Sequence, residues 1–168
     1  MKKRLLLALT LLPVMAIADN VTFIGADYAR TSGFGESVDG YQLGVKSVFD
    51  GKVDATLSYA KLSERGVSED IMGVTVNYGF GDFNTGSLYA GVGYIDVPGG
   101  GEGSFQLGYA KTSGSGFDYD AGLVSVEGAT FAQVKIRGQM GPGGLGWSLG
   151  VSHDGDIASQ TAGFNYRF

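Results

Sequence analysis

The sequence predicts an all-β fold, an antiparallel up-and-down transmembrane β-barrel of about ten strands joined by short hairpins. Three observations predict it. Apolar and polar residues alternate with period two along most of the chain. No apolar run past the amino terminus approaches the length of a membrane helix. The polar stripes are built from Gly, Ser, Thr, Asn and Gln with few charges, which suits an enclosed watery interior better than an open surface.

The elements follow in chain order. Lys2, Lys3 and Arg4 precede an apolar run from Leu5 to Ile17 that is short for a bilayer span and ends in Ala16-Ile17-Ala18. This is the layout of a cleavable export signal, so residues 1–18 are expected to be removed and 19–168 to form one barrel domain. A first, less regular strand runs from Val21 to Arg30. In the second, Tyr41, Leu43 and Val45 alternate with Gln42, Gly44 and Lys46. Val53, Ala55, Leu57 and Tyr59 then alternate with Asp54, Thr56, Ser58 and Ala60, and Met72, Val74, Val76, Tyr78 and Phe80 with Gly73, Thr75, Asn77 and Gly79. The same stripe continues through Leu88, Ala90, Val92 and Tyr94, through Phe105, Leu107 and Tyr109, and through Phe117, Tyr119, Ala121 and Leu123. Ala132, Val134 and Ile136 follow, then Trp147, Leu149 and Val151, and finally Ala162, Phe164, Tyr166 and Phe168. Strands of about nine to eleven residues match a tilted membrane crossing. An eight-strand version with longer loops also fits the pattern.

Turn chemistry separates the strands, at Phe49-Asp50-Gly51, Gly81-Asp82-Phe83-Asn84, Ser113-Gly114-Ser115-Gly116, Glu127-Gly128, Gly141-Pro142-Gly143-Gly144 and Asp154-Gly155. Such short connections exclude crossover helices. Thr31 to Asp39, Ser63 to Asp70, Pro98 to Gly103, Glu127-Gly128 and Asp154-Gly155 are expected as short outward loops. Aromatics such as Tyr28, Tyr41, Tyr59, Tyr78, Tyr94 and Tyr109 fall near strand ends, where interfacial girdles belong.

Register makes the interior assignment testable, because a lone charge in a confined lumen needs a partner. A two-residue Glu127-Gly128 turn sets Asp120 opposite Lys135 and Asp118 opposite Arg137. A three-residue Phe49-Asp50-Gly51 turn sets Lys46 opposite Asp54. All three pairs have opposite signs and share the polar stripe. Inward glycines at positions 44, 73, 91, 93, 108 and 122 are expected to widen the lumen.

Composition excludes several classes. Without cysteine there is neither a disulfide framework nor a lipid-attachment site. Removing the signal leaves nine basic residues against 17 acidic ones, a poor basis for nucleic-acid binding. The single histidine, His153, is flanked by Ser152 and Asp154, and neighbours on a strand face opposite ways, so a Ser152-His153 dyad is not expected. No phosphate loop or metal motif is present, and no cofactor is expected. Glu36, Asp39, Glu64, Glu69, Asp70, Glu102, Glu127, Asp154 and Asp156 against Arg65 give an acidic outer rim, read as a solvated face.

The chain closes on Phe164-Asn165-Tyr166-Arg167-Phe168. Phe164, Tyr166 and Phe168 resemble the carboxyl-terminal insertion signal of bacterial outer-membrane barrels. The whole mature chain resembles the small-barrel group that includes OmpX, Ail, the opacity proteins and the transmembrane part of OmpA. The segment Ser87-Leu88-Tyr89-Ala90-Gly91-Val92-Gly93-Tyr94 and the end Tyr166-Arg167-Phe168 carry that likeness. The resemblance implies a monomer in the bacterial outer membrane, with outer-membrane lipids, lipopolysaccharide and the barrel assembly machinery as its partners. About ten strands and short outward loops depart from the OmpX pattern and count against adhesin roles. The function expected is therefore non-enzymatic, structural in the envelope or a surface interaction. A narrow porin-like channel and, further off, a lipopolysaccharide-modifying enzyme are the alternatives. The lipid A deacylase family carries a His-x-Ser arrangement that this sequence lacks.

Overall fold

A computed structural model describes residues 21–33, 36–64, 67–97, 100–112, 116–126 and 128–168. The export segment 1–18, Arg65, Glu127 and Ser113-Gly114-Ser115 lie outside the described residues. These form ten strands: β1 (Val21–Gly33), β2 (Glu36–Phe49), β3 (Val53–Glu64), β4 (Val67–Gly79), β5 (Ser87–Val97), β6 (Gly100–Lys111), β7 (Phe117–Val126), β8 (Ala129–Gln139), β9 (Leu145–His153) and β10 (Ile157–Arg167). Each pairs antiparallel with its sequence neighbours, and β1 pairs with β10 from Phe23↔Arg167 to Gly33↔Ile157. Ten strands are present, not eight. Closure leaves no open sheet edge, which is the condition for a β-structure to sit in hydrocarbon without unsatisfied backbone groups.

The two ends differ. One, here the terminal end, holds both chain ends and the β2–β3, β4–β5, β6–β7 and β8–β9 turns. The other, the hairpin end, holds the remaining connections. Strands β1 to β4 reach 13, 14, 12 and 13 residues, more than the nine to eleven a tilted crossing needs. The stretches expected as loops at Thr31 to Asp39 and Ser63 to Asp70 are largely continuous, paired strand, and of Pro98 to Gly103 the part from Gly100 on is paired strand of β6. Ser32 stands opposite Ser37, and Leu62 opposite Glu69. Polarity rises where the hydrocarbon stops, whereas the hydrogen-bonded ladder runs on into water. On this projecting wall Tyr59 donates to Asp70 at 2.9 Å and Arg30 lies 3.8 Å from Asp39.

The β2–β3 turn also departs from expectation. Asp50 and Gly51 both adopt left-handed φ, 50° and 66°, and Lys52 N–H bonds back to the Phe49 carbonyl at 3.0 Å. The turn therefore closes between Phe49 and Lys52, and pairing resumes at Phe49↔Val53. Lys46 faces Thr56 and Asp54 faces Val48, two positions from the expected register. An even shift keeps every side chain on its original face.

The β4–β5 connection is more than a turn. Phe83 N–H donates to the Gly51 carbonyl at 2.7 Å, and Thr112 N–H donates to the Phe83 carbonyl at 2.7 Å. These bonds tie three connections together beneath the barrel. The Phe83 ring is fully buried and packs with Val48, Tyr89 and Ala110 into an apolar floor at the terminal end.

Candidate functional site: the cross-linked lumen

Alternation decides which side chains enter the lumen. Outward positions expose Leu43, Val74, Val92, Leu107, Leu123, Val134 and Leu149 by roughly half of their surface, while buried positions hold Asp27, Lys46, Asp54, Asn77, Gln106, Asp118, Ser148 and Asn165. Apolar side chains turned outward around a charged interior reverse the arrangement of a water-soluble protein. This is a membrane-spanning barrel. Such an exterior is stable only against lipid, and the interior only when its charges meet partners.

The partners reach farther than neighbouring strands. Lys46 Nζ lies 2.5 Å from Asp54 on β3 and 3.5 Å from Asp120 on β7, so one ammonium links opposite walls of the barrel. Thr56 Oγ1 also donates to Asp54, at 3.2 Å. Asp120 accepts a second bond, at 2.8 Å, from the hydroxyl of Tyr89 on β5. A separate group forms about Asp27, which accepts from Lys135 Nζ at 2.6 Å and from the Ser148 hydroxyl. Those contacts join β1 to β8 and β9. The register places Asp118 opposite Arg137 and Asp120 opposite Lys135. The Arg137 guanidinium stands 5.7 Å from the centre of the Phe23 ring, within cation–π range.

Asp27, Tyr89, Ser148 and Phe83 belong to this site and escaped the sequence reading. Asp27 was visible as an inward position between Ala26 and Tyr28. Its partners are two and three strands away through β10, however, and hairpin register relates only adjacent strands. Tyr89 corrects the expectation for the inward glycines. A Cβ at Gly108 would sit 2.7 Å from the Tyr89 hydroxyl, and one at Gly122 would sit 2.9 Å from it. At these two positions the missing side chains make room for a tyrosine instead of opening a bore. Between the two charged groups a cavity of about 70 Å³ remains, lined by Asp27, Lys46, Lys135, Arg137 and Ser148 among others.

Phe164, Tyr166 and Phe168 are exposed on the outer face, with the last two rings 4.9 Å apart edge to face. His153 is exposed at the hairpin end, its Nδ1 3.0 Å from the Ile157 carbonyl. The adjoining Asp154 accepts from the N–H groups of Ile157 at 2.7 Å and Asp156 at 3.0 Å, which holds its carboxyl below the usual value of 3.8. This contribution to the hairpin is complete above the unfolded value and is lost as pH falls through the lower folded one. The Asp156 and Ile157 amide resonances are expected to titrate together with a midpoint below 3.8 in NMR spectra. A midpoint at or above it would contradict the turn geometry.

No protein-family model matches the sequence, and no curated protein matches it. Among solved structures, the chain is similar to Neisserial surface protein A, at 12% identity and a TM-score of 0.41, covering 88% of this chain and 95% of that one. It is similar to the KdgM porin at 11% identity and 0.47, covering 89% and 99%. It is also similar to Ail of Yersinia pestis at 17% identity and 0.38, covering 89% and 97%. The architecture rests on the strand pairing itself, independently of these likenesses.

Proposed function

We propose that the protein is an integral outer-membrane barrel, exported as a precursor, whose role is structural in the envelope or an interaction at its surface, without catalysis and without conduction. The observation that carries this reading is the occupied lumen. Lys46 bridges β3 and β7, Lys135 bridges to β1, and the Phe83 floor underlies the terminal end. A conducting pore needs a solvated path, and charges locked to one another across the bore oppose it. The same reading takes Phe164, Tyr166 and Phe168 as the residues met by the assembly machinery. It points the projecting β1 to β4 wall outward, since the longer excursions of such barrels belong on the extracellular side.

Planar-bilayer recordings test the proposal. The folded protein, verified by heat-modifiable migration, is expected to give no steady unit currents over many insertions. Reproducible steps would overturn it in favour of a narrow channel.

A further inference from the structure

The outer face carries more than one shallow apolar groove, and one of them ends on a cationic side chain. On β10 the outward side chain at position 162 is an alanine, in direct register with Tyr28 of β1 on one side and Leu149 of β9 on the other. In the next row toward the hairpin end, Gln160 lies between Arg30 and Val151. The small floor between taller walls leaves a groove of about 420 Å³, within the size range of ligand clefts. Its walls are apolar except at the hairpin end, where it meets Arg30 and Gln160.

We propose that this groove holds an acyl chain of lipopolysaccharide, with a phosphate of the same molecule at Arg30. The inference rests on the outer-membrane reading above and names a lipid partner within it. In hydrocarbon an apolar groove has no solvent-driven advantage over bulk lipid and gains only closer dispersion contact. A distinguishing ligand must therefore be recognised by its polar end. The Arg30 side chain is 60% exposed, and its Nε is 3.8 Å from Asp39, beyond hydrogen-bond length. A guanidinium presents a planar fork of donors that matches phosphate oxygens. Tyr28, one row deeper, sits at the level of an interfacial girdle, which places Arg30 at headgroup height. The hairpin end faces the outer leaflet in the proposed orientation, and the phosphate-bearing lipid of that leaflet is lipopolysaccharide.

Native mass spectrometry of the detergent-refolded barrel, incubated with purified lipopolysaccharide or with phosphatidylglycerol, tests this. One lipopolysaccharide per barrel is expected to be retained. Ala162→Phe, which fills the floor from the lipid side, and Arg30→Glu, which reverses the charge, should each lower the retained fraction at least tenfold. Heat-modifiable migration should be unchanged in both variants. Undiminished retention in either variant, or equal retention of phosphatidylglycerol, would overturn the proposal. A silent barrel that retains no lipopolysaccharide refutes the groove alone, whereas a conducting barrel that retains it refutes the non-conducting role alone.

Discussion

Replacing Lys46 by methionine is expected to lower the unfolding free energy by about 3–5 kcal/mol, the cost typical of leaving a buried charge without its partner. The side chain keeps its unbranched shape and nearly its volume, losing only the terminal nitrogen, so a cavity is not the main cause. What disappears is the ammonium 2.5 Å from Asp54 and 3.5 Å from Asp120, whose side chains are only 2% and 16% exposed. Two enclosed carboxylates would then face each other with their common cation gone. Urea unfolding in lipid vesicles measures the loss, and Trp147, the single tryptophan, reports it. The exposed Lys52→Met, a control, should change stability by less than about 0.5 kcal/mol. Adding Asp54→Asn to Lys46→Met should restore part of the loss, because it removes one of the stranded charges. A drop below about 1 kcal/mol for Lys46→Met would mean that lumen water solvates these carboxylates and that the cross-link contributes little.

The faces of this barrel were legible from alternation because the side-chain period of a strand is fixed at two. Once Leu43 and Val45 are outward, Gln42, Gly44 and Lys46 have no other direction available. Register was legible only where the turn was. Glu127-Gly128 sets Val126 opposite Ala129, as two-residue turn chemistry dictates. At Asp50-Gly51 the sequence offered the same kind of signal, and the reading of a three-residue Phe49-Asp50-Gly51 turn missed the register by two residues. Strand length was the least legible quantity. Hydropathy marks where lipid ends, and nothing in Ser32 or Ser37 marks where backbone pairing ends.

The contacts across the lumen were hidden for a different reason. Local pattern relates a strand to its two neighbours, but Lys46 to Asp120 and Lys135 to Asp27 are set by the curvature of the closed sheet. Strand number and shear fix which inward side chains converge. Those quantities belong to the whole barrel. The sequence reading found Lys46, Asp54, Asp120 and Lys135 as inward charges of matched sign, yet could not find that Lys135 reaches Asp27. Charge balance on the polar stripe was thus readable, and the wiring was not.

Phe83→Ala is expected to cost about 3–5 kcal/mol, the range for removing a fully buried aromatic side chain. Turn residues on a barrel are usually tolerant, so a loss this large would separate a floor from an ordinary connection. The ring contacts Tyr89 at 6.2 Å between centroids, and the Phe83 backbone holds both Gly51 and Thr112. Truncation would leave those backbone bonds in place while emptying the space beneath Val48 and Ala110. Tyr89 would lose its lower support, and with it the geometry that directs its hydroxyl to Asp120. Phe83→Leu, which refills most of the volume, should recover most of the stability, and the exposed neighbour Asn84→Ala should cost far less than Phe83→Ala. Unfolding midpoints by Trp147 fluorescence decide the matter. If Phe83→Ala and Asn84→Ala unfold together with the parent, the β4–β5 connection is only a turn and the lumen has no apolar floor.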